Sequence, residues 1–94
     1  MAGDESLTVT FLSRPGCHLC EEALAELGAH LRGRRENGLS IEIEEIDIET
    51  DDDLHRLYLE RIPVIKLGDQ IISEIWFEAD AFDEALEGLT GEPG

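Results

Sequence analysis

A short strand that breaks into a helix opening on two cysteines is the feature that most constrains this chain. Leu7 to Ser13 alternates and carries β-favouring residues, which predicts a strand. Arg14-Pro15-Gly16 ends that strand, and a helix is predicted from about Cys17 to His30. One apolar stripe runs along this helix at spacings of four, three and four residues: Cys20, Leu24, Leu27 and Leu31. The chain therefore begins with a β-α unit that has both cysteines at its junction.

The rest of the chain is a succession of short elements. It predicts a polar turn, a strand, a short helix, two strands joined by a tight turn, and a last helix. These are Gly33 to Gly38, Leu39 to Ile43, a helix capped by Thr50-Asp51-Asp52-Asp53, Val64 to Leu67, Gln70 to Ile75, and a helix starting at Asp80. Because the apolar positions switch parity at Ile46 and Ile48, we expect a bulge or strand end near Glu44-Glu45.

This order, β-α-β-α-β-β-α, predicts an α/β fold with one mixed four-stranded sheet flanked by helices. The first β-α-β unit should be parallel and the last two strands antiparallel. The length of 94 residues is that of one domain, so we expect residues 1–94 to form a single domain with an ordered core at about 7–89.

Charge and hydropathy argue against several classes of function. Seven Lys and Arg against 23 Asp and Glu give a net charge of −16, which repels nucleic acid and anionic lipid. No apolar run approaches the roughly 20 residues that span a bilayer. The first residues also lack the basic and apolar regions of a signal peptide. We expect an acidic, cytoplasmic, monomeric protein that binds neither nucleic acid nor membrane.

The two cysteines of the chain form a single C-x-x-C motif. A disulfide that closes so short a loop adds little stability, so the pair serves either chemistry or metal binding. A free cysteine has a pKa of about 8.5, and a helix N-terminus favours its thiolate. Cys17 stands at that N-terminus, whereas Cys20 belongs to the apolar stripe. We therefore expect Cys17 to attack a disulfide and Cys20 to resolve the product.

Three neighbouring features are candidate substrate-binding groups. Arg14 is placed to stabilise the thiolate or an incoming carboxylate, although a solvated loop arginine fits equally well. His18, between the cysteines, either tunes the reduction potential or is an exposed residue of the first helical turn. Ile62-Pro63 precedes a strand, and a cis bond there would present the backbone of Ile62 to a partner.

The segments Ser13-Arg14-Pro15-Gly16-Cys17-His18-Leu19-Cys20 and Arg61-Ile62-Pro63-Val64 resemble the thioredoxin superfamily, and more narrowly the small bacterial glutaredoxin-like proteins. The resemblance covers Leu7 to Leu89. It implies a thioredoxin-like fold and a thiol–disulfide oxidoreductase that acts on protein or low-molecular-weight disulfides without a bound cofactor. It further implies that Cys17 is the nucleophile, that Cys20 resolves, and that Pro63 is cis and faces the pair.

The chain departs from both branches of that superfamily. Glutaredoxins hold a carboxylate of glutathione at a Gly-Gly pair, and the equivalent place here is Ser73-Glu74. Because Glu74 would repel that carboxylate, we do not expect glutathione to be the dedicated reductant. Thioredoxins carry a buried carboxylate and a tryptophan where this chain has Phe11 and Gly16.

Two other classes of function stay open at this point. Cys17 and Cys20 have the spacing of metal ligands, although zinc needs four and no second C-x-x-C is present; a dimer sharing an iron–sulfur cluster through Cys17 is a related case. The histidines available as further ligands are His18, His30 and His55. The other class is a non-catalytic binding module anchored by Trp76 and Phe77, although packing of these two residues in the core or at the sheet edge is the interpretation we favour.

Overall fold

A computed structural model of the protein describes residues 6–36 and 40–90. The elements are β1 (Ser6–Ser13), α1 (His18–Glu36), β2 (Ser40–Asp47), a 3₁₀ turn (Ile48–Thr50), α2 (Asp52–Tyr58), β3 (Val64–Leu67), β4 (Gln70–Glu74) and α3 (Ala79–Thr90). The predicted order of strands and helices is confirmed. Over the part of the chain described, no helix is long and apolar enough to cross a membrane.

The four strands form one mixed sheet in the order β2-β1-β3-β4. β1 pairs in parallel with β2 and antiparallel with β3, and β3 pairs antiparallel with β4, as predicted. Ser13 lies opposite Asp47 on one side, and Leu12 lies opposite Val64 on the other. The end of β1, the end of β2 and the start of β3 therefore meet at one edge of the sheet.

The sheet is covered on both faces. Consecutive residues of β1 point to opposite faces, yet Phe11 and Leu12 are 0% and 3% exposed. The core around them comprises Val9, Phe11, Leu12, Cys20, Ala23, Leu27, Leu31, Ile41, Ile48, Ile62, Val64, Ile65, Leu67, Phe82 and Leu86. The predicted stripe of α1 is confirmed, since Cys20, Leu27 and Leu31 are buried and Leu24 packs against the core.

The predicted bulge near Glu44-Glu45 is wrong. β2 continues to Asp47, and its register with β1 is unbroken over the whole strand. Because the sheet is covered on both faces, the strand can turn Ile46 to the face opposite Ile41 without an extra residue. The irregularity of the sheet lies instead between Ile65 and Lys66, where β3 pairs with β4. Leu39 is outside the described residues.

Helix α1 is longer than predicted, since it continues through Gly33 to Glu36 rather than ending at His30. Two contacts hold the additional turns: Leu31 is completely buried, and Arg34 forms an ion pair with Asp83 of α3. This tertiary packing outweighs the roughly 1 kcal/mol that a glycine costs inside a helix. The predicted polar turn thus begins as helix, and residues 37–39 are not described.

The predicted cap of α2 is confirmed, and one further boundary differs from the prediction. Within the predicted capping segment, Asp51 is the N-cap residue of α2, and its side chain accepts hydrogen bonds from the backbone N–H groups of Asp53 and Leu54. β4 ends at Glu74 because Ile75 adopts a φ of 78°, which takes the chain out of the extended conformation.

A cluster of polar side chains joins α1 to α3; we call His30, Arg34 and Asp83 the α1–α3 clasp. Nε2 of His30 lies 2.7 Å from Oδ1 of Asp83, the same oxygen that Arg34 contacts. Partial burial raises the pKa of the Asp83 carboxyl, but hydrogen bonds from His30 and Arg34 lower it by more, and the pKa lies below its ordinary 3.8. The clasp therefore places α1 and α3 on the same face of the sheet.

Replacing Asp83 with asparagine should make the free energy of unfolding less dependent on pH in the acidic range. Because folding lowers the pKa of Asp83, its charge stabilises the native state above pH 3.8, and this stabilisation is lost as the pH falls through the lower, folded value. At pH 7 we expect Asp83→Asn to cost about 1 kcal/mol in urea unfolding, with the difference from the original protein shrinking below about pH 4. Glu84→Gln, one residue along α3, is the control. A deficit that stays constant down to pH 3 would contradict this assignment.

Ser73 offers a second test of the packing. The residue is 7% exposed in β4, and its hydroxyl oxygen is buried with no hydrogen-bond partner in the described part of the chain. An unsatisfied buried hydroxyl is costly, so Ser73→Ala should raise the free energy of unfolding by about 1 kcal/mol. The matched change Ser40→Ala, at an exposed position of β2, should have little effect. If Ser73→Ala instead lowers the free energy of unfolding, the hydroxyl of Ser73 has a hydrogen-bond partner in solution.

Candidate functional site

The two cysteines occupy the first turn of α1 and its N-cap. The carbonyl of Cys17 accepts a hydrogen bond from the N–H of Glu21 at 3.0 Å, which makes Cys17 the N-cap residue. The backbone N–H of Cys20 donates to Sγ of Cys17 at 3.1 Å. A disulfide joins the pair, and the two Cα atoms are 5.2 Å apart. The sulfur of Cys17 thus takes the place that the oxygen of a serine or aspartate cap usually has.

The two cysteines differ in their exposure to solvent. Cys20 is 4% exposed and belongs to the core, whereas Cys17 is only partly buried. The turn before Cys17 depends on Gly16, whose φ of 76° is unfavourable for residues with a side chain. The chain therefore exposes the first cysteine and shelters the second.

A cleft of about 360 Å³ opens beside the disulfide. It lies between the first turns of α1 and the ends of β1 and β2. Its lining consists of Ser13, Arg14, Pro15, Gly16, Cys17, Cys20, Glu21, Leu24, Glu45 and Asp47. Both cysteines thus border a space that a substrate group can enter.

The charges in this cleft are mostly negative. Three carboxylates line it, against one guanidinium. That guanidinium belongs to Arg14, whose Nε lies 3.3 Å from Oε2 of Glu49 in the 3₁₀ turn. Arg14 and Cys17 both belong to the cleft lining, and the charge of Arg14 is shared with the acidic Glu49.

The other predicted substrate-binding residues lie outside the cleft lining. His18 is exposed at the first position of α1. The Ile62–Pro63 bond is cis, the conformation that the resemblance implies, and both side chains are buried. The N–H of Ile62 donates to the carbonyl of Tyr58 at 3.1 Å, so this donor is already engaged within the fold. Pro63 stands just before Val64, which pairs with Leu12, and so lies at the sheet edge where the cysteine loop begins.

Glu74, which the resemblance places where glutaredoxins hold glutathione, is also engaged in an ion pair. Its carboxylate accepts hydrogen bonds from Nε and a terminal nitrogen of Arg61. The hydrogen bond from Arg61 lowers the pKa of Glu74, and the same bond raises the pKa of Arg61. The Arg61 guanidinium also lies 5.0 Å from the ring centre of Tyr58. The charge of Glu74 is therefore locally compensated.

The two aromatic residues after β4 have different surroundings. Phe77 packs 5.5 Å from the ring of His30 and 5.8 Å from that of Phe82, so it belongs to the α1–α3 side of the core. Trp76 is 60% exposed, and its indole N–H donates to Glu78 at 3.1 Å.

Sequence reasoning did not single out Glu45 and Asp47 as residues of the site. Both belong to the end of β2, beyond the strand predicted over Leu39 to Ile43. The signal that finds them is the parallel β-α-β unit itself, because the carboxyl ends of parallel strands meet at one edge of the sheet. Among the described residues, no group of three or more His, Cys, Asp or Glu side chains is placed to hold a metal ion.

The mixed sheet, its flanking helices and a cysteine pair capping the first helix define a thioredoxin-like protein. More narrowly, residues 8–87 match the family model described as the glutaredoxin-like domain DUF836, and the chain belongs to that family. A glutaredoxin-like domain with a C-x-x-C pair is compatible with a thiol-based redox role. No curated protein matches the chain significantly.

Two solved structures are similar in fold. One is a protein of unknown function from Staphylococcus aureus, with 13% sequence identity, a TM-score of 0.71 and 95% coverage of each chain. The other, described as a malarial protein, has 14% identity, a TM-score of 0.59, and coverage of 89% of this chain and 97% of its own. At these identities the likeness concerns the fold alone.

Proposed function

We propose that the protein is a dithiol–disulfide oxidoreductase that acts on protein or low-molecular-weight disulfides, with Cys17 as nucleophile and Cys20 as resolving thiol. The observation that supports this most strongly is the asymmetry of the pair. Cys17 is only partly buried and its sulfur accepts a hydrogen bond from an N–H at the helix N-terminus, whereas Cys20 is 4% exposed. An accessible sulfur in such a position is the more reactive one.

In the first step, the Cys17 thiolate attacks one sulfur of the substrate disulfide. A bond forms between Cys17 and that sulfur, the substrate S–S bond breaks, and the other half leaves as a thiolate that takes a proton from water. The N–H of Cys20, 3.1 Å from the sulfur, stabilises the attacking anion before the bond forms.

In the second step, Cys20 loses its proton to solvent and attacks the Cys17 sulfur of the mixed disulfide. The internal Cys17–Cys20 bond forms, the bond between Cys17 and the substrate sulfur breaks, and the remaining half of the substrate leaves as a thiolate that takes a proton from solvent. One disulfide is thus reduced to two thiols while the protein dithiol is oxidised, a transfer of two electrons. Regeneration needs a thiol reductant, and no bound cofactor takes part.

We propose supporting roles for the residues around the pair. Arg14, in the cleft lining, orients a substrate group. Exposed His18 influences the potential of the pair, and the Ile62-Pro63 segment, which lies outside the cleft lining, contacts a substrate from beside the cysteine turn. A reducing compartment such as the cytoplasm suits this chemistry, because it keeps the dithiol supplied with electrons.

The asymmetry should appear in alkylation of the reduced protein. We expect iodoacetamide to modify Cys17 at least about tenfold faster than Cys20, with the reaction persisting well below pH 8.5, where a free thiol is mostly protonated. Mass spectrometry of peptides distinguishes the two sites, and each series is run with and without a chelator. Two slow cysteines that react only after chelation would replace this proposal with a metal site.

The order of attack can be tested by trapping the mixed disulfide. With Cys20→Ser, 2-hydroxyethyl disulfide should give a stable adduct on Cys17, because the resolving thiol is absent. With Cys17→Ser, the buried Cys20 should form the adduct at least about tenfold more slowly. Intact-protein mass spectrometry over time reads out both variants. Equal rates of adduct formation would show that the two cysteines have interchangeable roles.

A further inference from the structure

We propose that the cleft beside Cys17 selects disulfides that carry a positively charged group close to the sulfur. This inference rests on the exchange activity proposed above and adds the chemical class of the substrate. It depends on three properties of the cleft: where its carboxylates lie, what already contacts them, and which cation is present.

The first property is the position of the carboxylates. In the parallel pairing, Glu45 and Asp47 lie opposite Phe11 and Ser13. Alternate residues of a strand share one face, so both acidic side chains lie on the face of the sheet that carries Ser13. The same cleft of about 360 Å³ is lined by Cys17 and Cys20, so the two acidic residues and the cysteine pair border one space.

The second property is that the hydrogen bonds made by these carboxylates come from neutral groups. Glu45 accepts from the hydroxyl of Ser13 at 3.3 Å, and Asp47 accepts from the backbone N–H of Glu49 at 2.9 Å. Neither bond neutralises the negative charge. A carboxylate has about four lone-pair sites, so each retains capacity to accept a bond from an ammonium or guanidinium group.

The third property is the state of Arg14, the cation of the cleft lining. Its guanidinium is paired with Glu49 at 3.3 Å, so it offsets an acid outside the lining rather than the three within it. The carboxylates of the cleft therefore favour an approaching substrate that carries a cation and oppose one that carries an anion, while the N–H of Cys20 still stabilises the thiolate of Cys17. Glutathione disulfide carries several carboxylates and is disfavoured here, even though Glu74 is compensated by Arg61.

The test compares small disulfides of different charge in single-turnover reactions with the reduced protein. Cystamine carries an ammonium at each end, 2-hydroxyethyl disulfide is a neutral analogue of the same size, and glutathione disulfide is anionic. Each rate constant is divided by that of a neutral monothiol with the same disulfide, which removes differences in leaving-group reactivity. At low salt we expect this normalised rate to be about tenfold higher for cystamine than for the neutral analogue, and lowest for glutathione disulfide.

Two double variants separate the cleft from the overall charge of the protein. Glu45→Gln/Asp47→Asn removes two charges from the cleft. Glu42→Gln/Glu44→Gln removes two charges from the same strand on the opposite face. We expect the preference for cystamine to fall at least about threefold in the first variant and to persist in the second. Circular dichroism and thermal unfolding of both variants establish that the fold is retained.

Peptide substrates show whether the cation belongs to a protein segment or to a small disulfide. A disulfide-linked peptide pair with lysine beside the cysteine is compared with the same pair carrying glutamate. A preference for the lysine pair assigns the cation to a basic protein segment, and a preference confined to cystamine assigns it to a small disulfide.

The outcomes separate this inference from the proposed function. If none of the disulfides is reduced, the exchange activity itself is wrong. If all are reduced with equal normalised rates, the exchange activity stands and the charge selection is wrong. An equal loss of preference in both double variants also overturns it, because the selectivity would then belong to the net charge of −16 rather than to the cleft.

Discussion

The pairing of β1 on both of its sides is the constraint on which the rest of this structure depends. β1 is the strand that pairs both with β2 and with β3, and its Val9 and Phe11 are fully buried. β1 ends at Ser13, where the chain turns out of the sheet toward α1. The end of β2 and the start of β3 lie on either side of Ser13. One cluster of backbone hydrogen bonds thus brings together the cysteine turn, the acidic end of β2 and the Ile62-Pro63 segment.

The first turn of α1 places a backbone N–H donor next to the sulfur of Cys17. A helix begins with N–H groups that need acceptors, and here the Cys17 sulfur accepts one of them. The helix is held in place far from that end by Leu27 and Leu31, which are fully buried, and by Asp83. The N–H groups at the start of α1 are consequently fixed in position by the fold, so in the proposed exchange reaction no reorganisation is needed to stabilise charge on sulfur.

Much of this arrangement follows from the amino-acid sequence, and the errors have identifiable causes. Alternation and helical periodicity predict all four strands and three helices, and the C-x-x-C motif at a strand–helix break locates the site. The predicted end of α1 was too early. The low helix propensity of Gly33 predicted a turn, but tertiary contacts of Leu31 and Arg34 outweigh that propensity. The parity switch at Ile46 led to a false bulge because a strand covered on both faces accommodates apolar residues on either side. Partners such as Glu49 for Arg14 depend on side-chain placement between elements distant in sequence, which no local pattern encodes.

Within the described part of the chain, β2 is an edge strand of the sheet. The acidic residues along it affect how two copies of the chain can associate. An open strand edge offers its backbone to other chains, and proteins protect such edges with charge. Glu42 and Glu44 are exposed along β2, which pairs on one side only among the residues that the structure describes. Two copies meeting edge to edge would bring rows of like charges together, which opposes the growth of intermolecular sheets even at high protein concentration. The strand whose last residues border the cysteines thus carries charges that disfavour edge-to-edge pairing with another copy.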